Sequence, residues 1–224
     1  ASSCMSSEDQ EKGALAIDIG AGMCDFSFFQ ARGCQASGCI PVGAKNVIND
    51  LSVGLEIEYL RAKRLLEEEG RAISRRDARQ RLIELKSLGG NQIRQIPRSS
   101  IEMICEVRLR ELFVRIKDSL RSQGIRSFEG VKIYLCGGLA ALPELNTLAG
   151  EEFQAEVETA EVKVDLLSGD RGFLKDPSYV ALAGALKIAF DHHLAEEFKS
   201  NPLRQGAKMA FREFIESIKD AIRL

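Results

Sequence analysis

Between Ala14 and Ile40 the chain runs ALAIDIG, CDFSFFQ and CQASGCI, three short apolar segments parted by glycine-bearing breaks at Gly20–Met23 and at Arg32-Gly33. Short apolar runs bounded by turn residues read as strands, and tight breaks between them are the punctuation of an antiparallel meander. Whatever follows must then pack in layers against that sheet.

The following segments read as mostly helical. Val42 to Leu55 places Val47, Ile48, Leu51 and Leu55 on one helical face, and a charged helix runs from about Ile57 to Glu69 before Gly70 stops it. RLIELKSLGGNQIRQIPR, residues 81–98, reads as a β-hairpin about Gly89-Gly90, closed by Pro97. Ile101, Ile104, Cys105, Leu112, Phe113, Ile116 and Leu120 then recur at helical spacing until Gly124. VKIYLCGG reads as a buried strand meeting a glycine turn, ALPELNTLAGEEF as a helix with Pro143 in its first turn, and EVKVDLL as a strand. A last helix is expected from Pro177 to Phe198, with Asp176 as N-cap and Tyr179, Leu182, Ala183, Leu186 and Ala189 on its apolar side.

This order predicts an α/β layered domain, residues 12–55 and 125–198, carrying a small α+β insert at 56–124. The polar residues 1–11 are expected to be a disordered lead-in, 199–207 a linker, and 208–224 an amphipathic C-terminal helix.

A length of 224 residues with 45% hydrophobic side chains can bury a substantial core, and a net charge of −2 argues against a wholly basic nucleic-acid or membrane binder. No stretch has the roughly 18 apolar residues of a membrane span, and ASSCMSSEDQEKG lacks the features of a secretory signal, so a cytoplasmic protein is expected. The six cysteines, Cys4, Cys24, Cys34, Cys39, Cys105 and Cys136, show no C-x-x-C pair and read as core packing. His192 and His193, neighbours on a helix, point about 100° apart and do not suit one metal.

Two glycine turns could carry chemistry. In IDIGAGMCDFS, Gly20 and Gly22 would let successive backbone N–H groups approach an anion, while Asp18 faces a metal or water beside it. The structural alternative is an ordinary glycine hairpin. In LCGGLAALPEL, Gly137, Gly138 and Leu139 join a strand to a helix start, a place for a nucleotide close against backbone, or else a tight connection.

Two such turns separated by an insert resemble the second half of the actin-like (ribonuclease H-like) ATPase fold, and within it the FtsA family of bacterial cell division proteins. IDIGAGMCDFSFFQARG resembles that family's second phosphate segment, and CIPVGAKNVINDLSVGLEIEYLRAKRLLEEEG resembles the stretch beyond it. ICEVRLRELF, LCGGLAALPEL and DPSYVALAGALKIA resemble the helix after the hairpin, the adenosine segment and the closing helix, so the likeness spans about Gly13 to Phe190.

The resemblance implies ATP with Mg, its phosphate and metal side at Asp18, Gly20, Ala21, Gly22, Met23 and Asp25, and its adenosine at Gly137, Gly138 and Leu139. The site is present only in part, because the family's first phosphate loop lies in a half of the protein outside this sequence. Met23 and Cys24 stand where the family carries hydroxyl residues, Leu139 where it has a third glycine, and Lys63 and Leu66 where it offers Glu and Lys to the nucleoside. These departures imply a degenerate pocket and at most a weak ATPase, with no catalytic residue assigned.

Arg61 to Arg98 holds eleven basic and five acidic residues, a net +6 that leaves −8 elsewhere. Such a segment is either a solvated face or a docking surface for an acidic peptide. The resemblance implies the latter, with the C-terminal tail of FtsZ as partner and Arg75, Arg76, Arg79, Arg108 and Glu111 as docking residues. The segment has no Phe, Tyr or Trp between Arg61 and Arg98 on which bases could stack, which argues against nucleic acid.

The tail KMAFREFIESIKDAIRL puts Phe211, Phe214, Ile215, Ile218 and Ile222 on one helical face, with a net charge of only +1 from Lys208 onward. Similar to the membrane-targeting helix of the family, it implies peripheral attachment to the inner face of the cell membrane, with packing on its own domain or a partner as the alternative. The expected function is an adaptor tethering FtsZ filaments to that membrane, with self-association also allowed by the fold. Competing readings are a PilM-like pilus-assembly scaffold and a sugar kinase or polyphosphate hydrolase of the same superfold.

Overall fold

A computed structural model describes residues 4–75, 77–86, 93–162 and 175–189. The chain divides into a first unit, Ala1–Gly184, and a second, Ala185–Leu224, of which residues 185–189 are described and are helical.

The meander forms as the alternation requires. Strands β1 (Ala14–Ile19), β2 (Cys24–Gln30) and β3 (Gly33–Ile40) pair antiparallel, with a register shift between Phe28 and Phe29. Strands β6 (Lys132–Cys136) and β7 (Glu156–Thr159) add in parallel on the other side of β1, giving the order β3-β2-β1-β6-β7. β1 is therefore central and buried on both faces. Leu15, Ile17 and Ile19 join the main core with Phe26 and Phe28, whereas Ala14 and Ala16 meet Tyr134, Cys136, Ala160 and Val180 in a second cluster.

Helices α2 (Ala44–Gly54), α3 (Tyr59–Glu69) and α5 (Leu145–Phe153) each bury one stripe in the main core, as does α4 (Arg98–Ser122). At 25 residues α4 is about 37 Å long, and Ile101, Cys105, Leu109, Leu112, Phe113, Ile116 and Leu120 line its buried face. The strands β4 (Leu82–Lys86) and β5 (Ile93–Pro97) form a separate antiparallel pair; Gly89 and Gly90, where a turn is expected, lie outside the described residues. The main core is continuous from Ile17 and Phe26 through Leu65, Leu85 and Ile101, so the segment 56–124 shares it with the sheet.

Three sequence expectations need correction. The supposed disordered lead-in carries a helix, α1 (Ser7–Lys12), whose capping box links Ser6 and Asp9; Tyr134 Oη donates to Asp9 Oδ2 at 2.6 Å, and Cys4 and Met5 are buried in the second cluster. A local cap and a tertiary anchor together overcome the ordering cost that polar composition suggested. The helix expected from Ala141 begins only at Leu145, because the chain first makes a 3₁₀ turn at Gly138–Ala141 and then places Glu144 in a left-handed conformation. A strand that the sequence reading did not place lies at Glu156–Thr159; of the strand expected at EVKVDLL, only Glu161 and Val162 are described, neither in a strand, and residues 163–167 lie outside the described residues. Cys34 and Cys39 are exposed on the edge strand β3, whereas Cys4, Cys24, Cys105 and Cys136 are buried as expected. The last helix starts as a 3₁₀ turn at Pro177–Tyr179, with Asp176 Oδ1 accepting from Ser178 N at 2.9 Å, and continues as α6 (Val180–Ala189).

Candidate functional site

Parallel pairing sets Asp18 of β1 beside Cys136 of β6, so both glycine turns emerge side by side at the carboxyl ends of neighbouring parallel strands. That is where open α/β sheets bind ligands, because the chain leaves the sheet there and exposes backbone. The approach is close enough to dictate a residue. Gly137 adopts φ +87°, and a Cβ there would fall on Asp18 Oδ1 and 2.6 Å from Ile19 O. Its N–H donates to Pro177 O at 3.0 Å, which ties the turn to the chain preceding α6. Gly138 is exposed, but Leu139 is buried in the main core, so its side chain packs where the sequence reading gave it to adenosine.

The first turn closes through Gly20 N donating to Met23 O at 2.9 Å and leaves Ala21, Gly22 and Met23 exposed. Its carbonyls are taken by the start of α2, with Ala44 N donating to Gly20 O at 3.0 Å and Lys45 N to Ala21 O at 2.7 Å. These bonds satisfy N-terminal donors of the helix and fix the turn against it. They also require a residue that sequence reasoning missed. A Cβ on Gly43 would lie 2.5 Å from Gly20 O and 2.8 Å from Ala21 O, whereas one on Gly22 would meet nothing within 4 Å. The available signal was a glycine immediately before the first helical residue in IPVGAKN.

Asp18 and Asp25 are register partners on β1 and β2. Burial raises the Asp18 carboxyl above its ordinary range, and the charge of exposed Asp25 raises it further. Cys39, opposite Asp25 on β3, bonds to that carboxylate, which pushes its thiol up, and its Sγ lies 3.7 Å from Met23 Sδ. The rim of the turn thus carries the sulfur atoms of Met23 and Cys39. Among the described residues no group of three His, Cys, Asp or Glu side chains is placed to hold a metal.

The basic segment is largely neutralised within the chain. Glu102, 1% exposed on α4, sits 3.3 Å from Arg98 Nε and 3.8 Å from Arg71 Nε, and accepts the Arg75 N–H at 3.0 Å. Arg71 and Arg75 also pair with Glu144, while Arg98 and Arg81 pair with Glu69. Arg79 is exposed at the end of a 3₁₀ turn, and Arg76 lies outside the described residues. Arg108 and Glu111 are brought together at 2.6 Å, and Arg108 grips Asp50 of α2 at 2.5 and 3.0 Å, an interaction that raises the Arg108 pKa. Arg115 completes the cluster on Glu111 at 2.5 Å. Arg108 therefore has a structural task, holding α2 on α4. Phe211, Phe214, Ile215, Ile218 and Ile222, with His192 and His193, lie outside the described residues. No helix among the described residues is long and apolar enough to cross a membrane.

The family profile described as Cell division protein FtsA matches residues 15–184, which covers both sheets and both turns. The chain belongs to the FtsA family. FtsA of Bacillus subtilis is 27% identical over 98% of the chain and 46% of the relative, and FtsA of Escherichia coli K12 is 23% identical over 87% and 48%. The chain spans about half the length of the curated FtsA relatives it matches. The fold is the actin-like one. MreB5 of Spiroplasma citri bound to ADP superimposes with a TM-score of 0.62 at 16% identity, over 86% of this chain and 57% of that one. The protein of a PilM-PilN type IV pilus biogenesis complex gives 0.55 at 19%, over 81% and 47%. At such identities the likeness concerns the fold alone, so the FtsA relationship rests on the sequence matches.

Proposed function

We propose that this FtsA-family chain is the second-half portion of an actin-fold adaptor in bacterial cell division, one that tethers FtsZ filaments to the cytoplasmic face of the membrane. The observation that carries the reading is the pair of glycine turns, set edge to edge at the ends of β1 and β6, within a sequence that matches the family from residue 15 to residue 184. Residues 12–55 and 125–198 form the nucleotide-bearing part, 56–124 the docking insert, and 208–224 the membrane-binding helix. ATP would lie with its phosphates at Gly20–Met23 and its adenosine at Gly137 and Gly138, as nucleotides do bind a protein of like fold, MreB5. Asp18 and Asp25 suit Mg held through water and phosphate oxygens, because that ion needs only one or two carboxylates when phosphate completes its shell. With a sulfur-bearing rim on the first turn, ATP binds weakly, in the millimolar range or about −4 kcal/mol.

The reading is tested by flotation of FtsZ filaments with anionic liposomes. FtsZ should float when the chain is present, and Phe214→Glu, which puts a charge in the apolar face of the tail, should leave it in the pellet. If the wild-type chain itself never floats, membrane attachment is wrong and the tail packs elsewhere.

A further inference from the structure

Glu144 stands at the exit of the second glycine turn, with φ +67° and a side chain only 14% exposed. Its carboxylate faces the segment that follows α3. Arg71 Nη1 lies 3.6 Å from Glu144 Oε1, and the Arg75 guanidinium contacts the same oxygen. The backbones are joined as well, since Ala72 N donates to Pro143 O at 3.0 Å. Arg75 is held from behind, its N–H on buried Glu102, while Ser74 N donates to Glu106 Oε2 at 2.8 Å. With its main chain fixed and its side chain half exposed, Arg75 pairs among the described residues with the carboxylate of Glu144, which an acidic partner would have to displace.

We infer that Glu144 is an internal competitor for the acidic peptide that docks on Arg75, and that docking releases the exit of the second glycine turn. The inference rests on the docking reading above. A carboxylate from a partner takes Arg75 only as Glu144 gives it up. Glu144 then loses one of the two charges that hold it to the Arg71–Arg75 segment, and the bond from Ala72 to Pro143 is weakened. Because such coupling is reciprocal, a ligand that stabilises the closed turn opposes docking by the same factor. Glu144 thereby connects the two candidate sites through one ion pair.

The test uses the whole 224-residue chain and a fluorescein-labelled hexaglutamate peptide, with anisotropy read at low salt to limit screening. Glu144→Gln and Glu144→Gly should both tighten binding by about three- to fivefold, the range a partly exposed ion pair supplies. Gln keeps the left-handed backbone position and Gly relieves it, so equal gains assign the effect to charge. In an Arg75→Glu background the gain should vanish. If Arg75→Glu weakens binding while both Glu144 variants bind like wild type, docking stands and the competitor is refuted. Where Arg75→Glu changes nothing, the docking reading fails first and the competitor with it. Amide exchange at Ala72 in the wild-type chain gives an independent answer should the Glu144 variants not fold. The peptide should speed that exchange, and unchanged exchange at saturating peptide refutes release of the turn.

Discussion

Gly137→Ala should be the costliest single-methyl change at the candidate site. Its backbone, at φ +87° and ψ 169°, lies in a region essentially reserved for glycine, and forcing another residue into it costs about 1–3 kcal/mol. The added carbon also meets Asp18 Oδ1 and the Ile19 carbonyl, 2.6 Å away. The second obstacle is main chain of the central strand, fixed between β2 and β6, so relief requires moving the sheet and adds an overpacking cost of about 1–3 kcal/mol. Together these give a loss of about 3–4 kcal/mol. In urea unfolding followed by circular dichroism, with a slope of about 2 kcal/mol per molar, the midpoint should fall by roughly 1.5–2 M. Gly22→Ala is the internal control, since its Cβ meets nothing within 4 Å and should change stability by less than about 0.5 kcal/mol. A Gly137→Ala protein within about 1 kcal/mol of wild type, or a Gly22→Ala protein equally damaged, would refute the steric argument.

Three further outcomes follow from the same contacts. Asp18 has its pKa raised in the fold by burial and by Asp25, so its contribution is fully present below the unfolded value of about 4 and is lost as pH rises through the folded one. Asp18→Asn should therefore melt higher than wild type at pH 7, the gap closing below about pH 4; a lower melting temperature at pH 7 would contradict the burial assignment. Asp9 is held below its usual range by Ser6 first and Tyr134 second, the opposite sign, with stability present above about pH 4 and lost as pH falls through its folded value. Tyr134→Phe should cost about 1–2 kcal/mol at neutral pH and less in acid, and a pH-independent loss would mean that ring packing alone had changed. Arg108→Ala should cost about 1–2 kcal/mol and Asp50→Ala much of the same, with a double mutant short of the sum; full additivity would show that the pair does not hold α2 to α4.

The sequence by itself determined the local elements: the meander from its glycine-broken alternation, the long helix from Ile101, Cys105, Leu112 and Ile116, and the glycine turns from Gly20 and Gly137-Gly138. Periodicity and turn chemistry act within a few residues, so they can be read from the chain alone. It also carried the family likeness, because the order of the short motifs along the chain is itself a sequence property. Only the tertiary structure decided what those elements meet. Gly43 is required by the carbonyls of Gly20 and Ala21, more than twenty residues earlier. Residues Ser7–Lys12 are held as a helix in part because Tyr134, on a distant strand, donates its hydroxyl to Asp9. Arg75 and Arg108 read as free positive charge until folding sets Glu144 and Asp50 against them. Leu139 reads as a ligand contact until the 3₁₀ turn rotates it into the core. Charge and size are legible one residue at a time, whereas burial and pairing depend on contacts between segments far apart in sequence, which come into being only when the sheet and helices assemble.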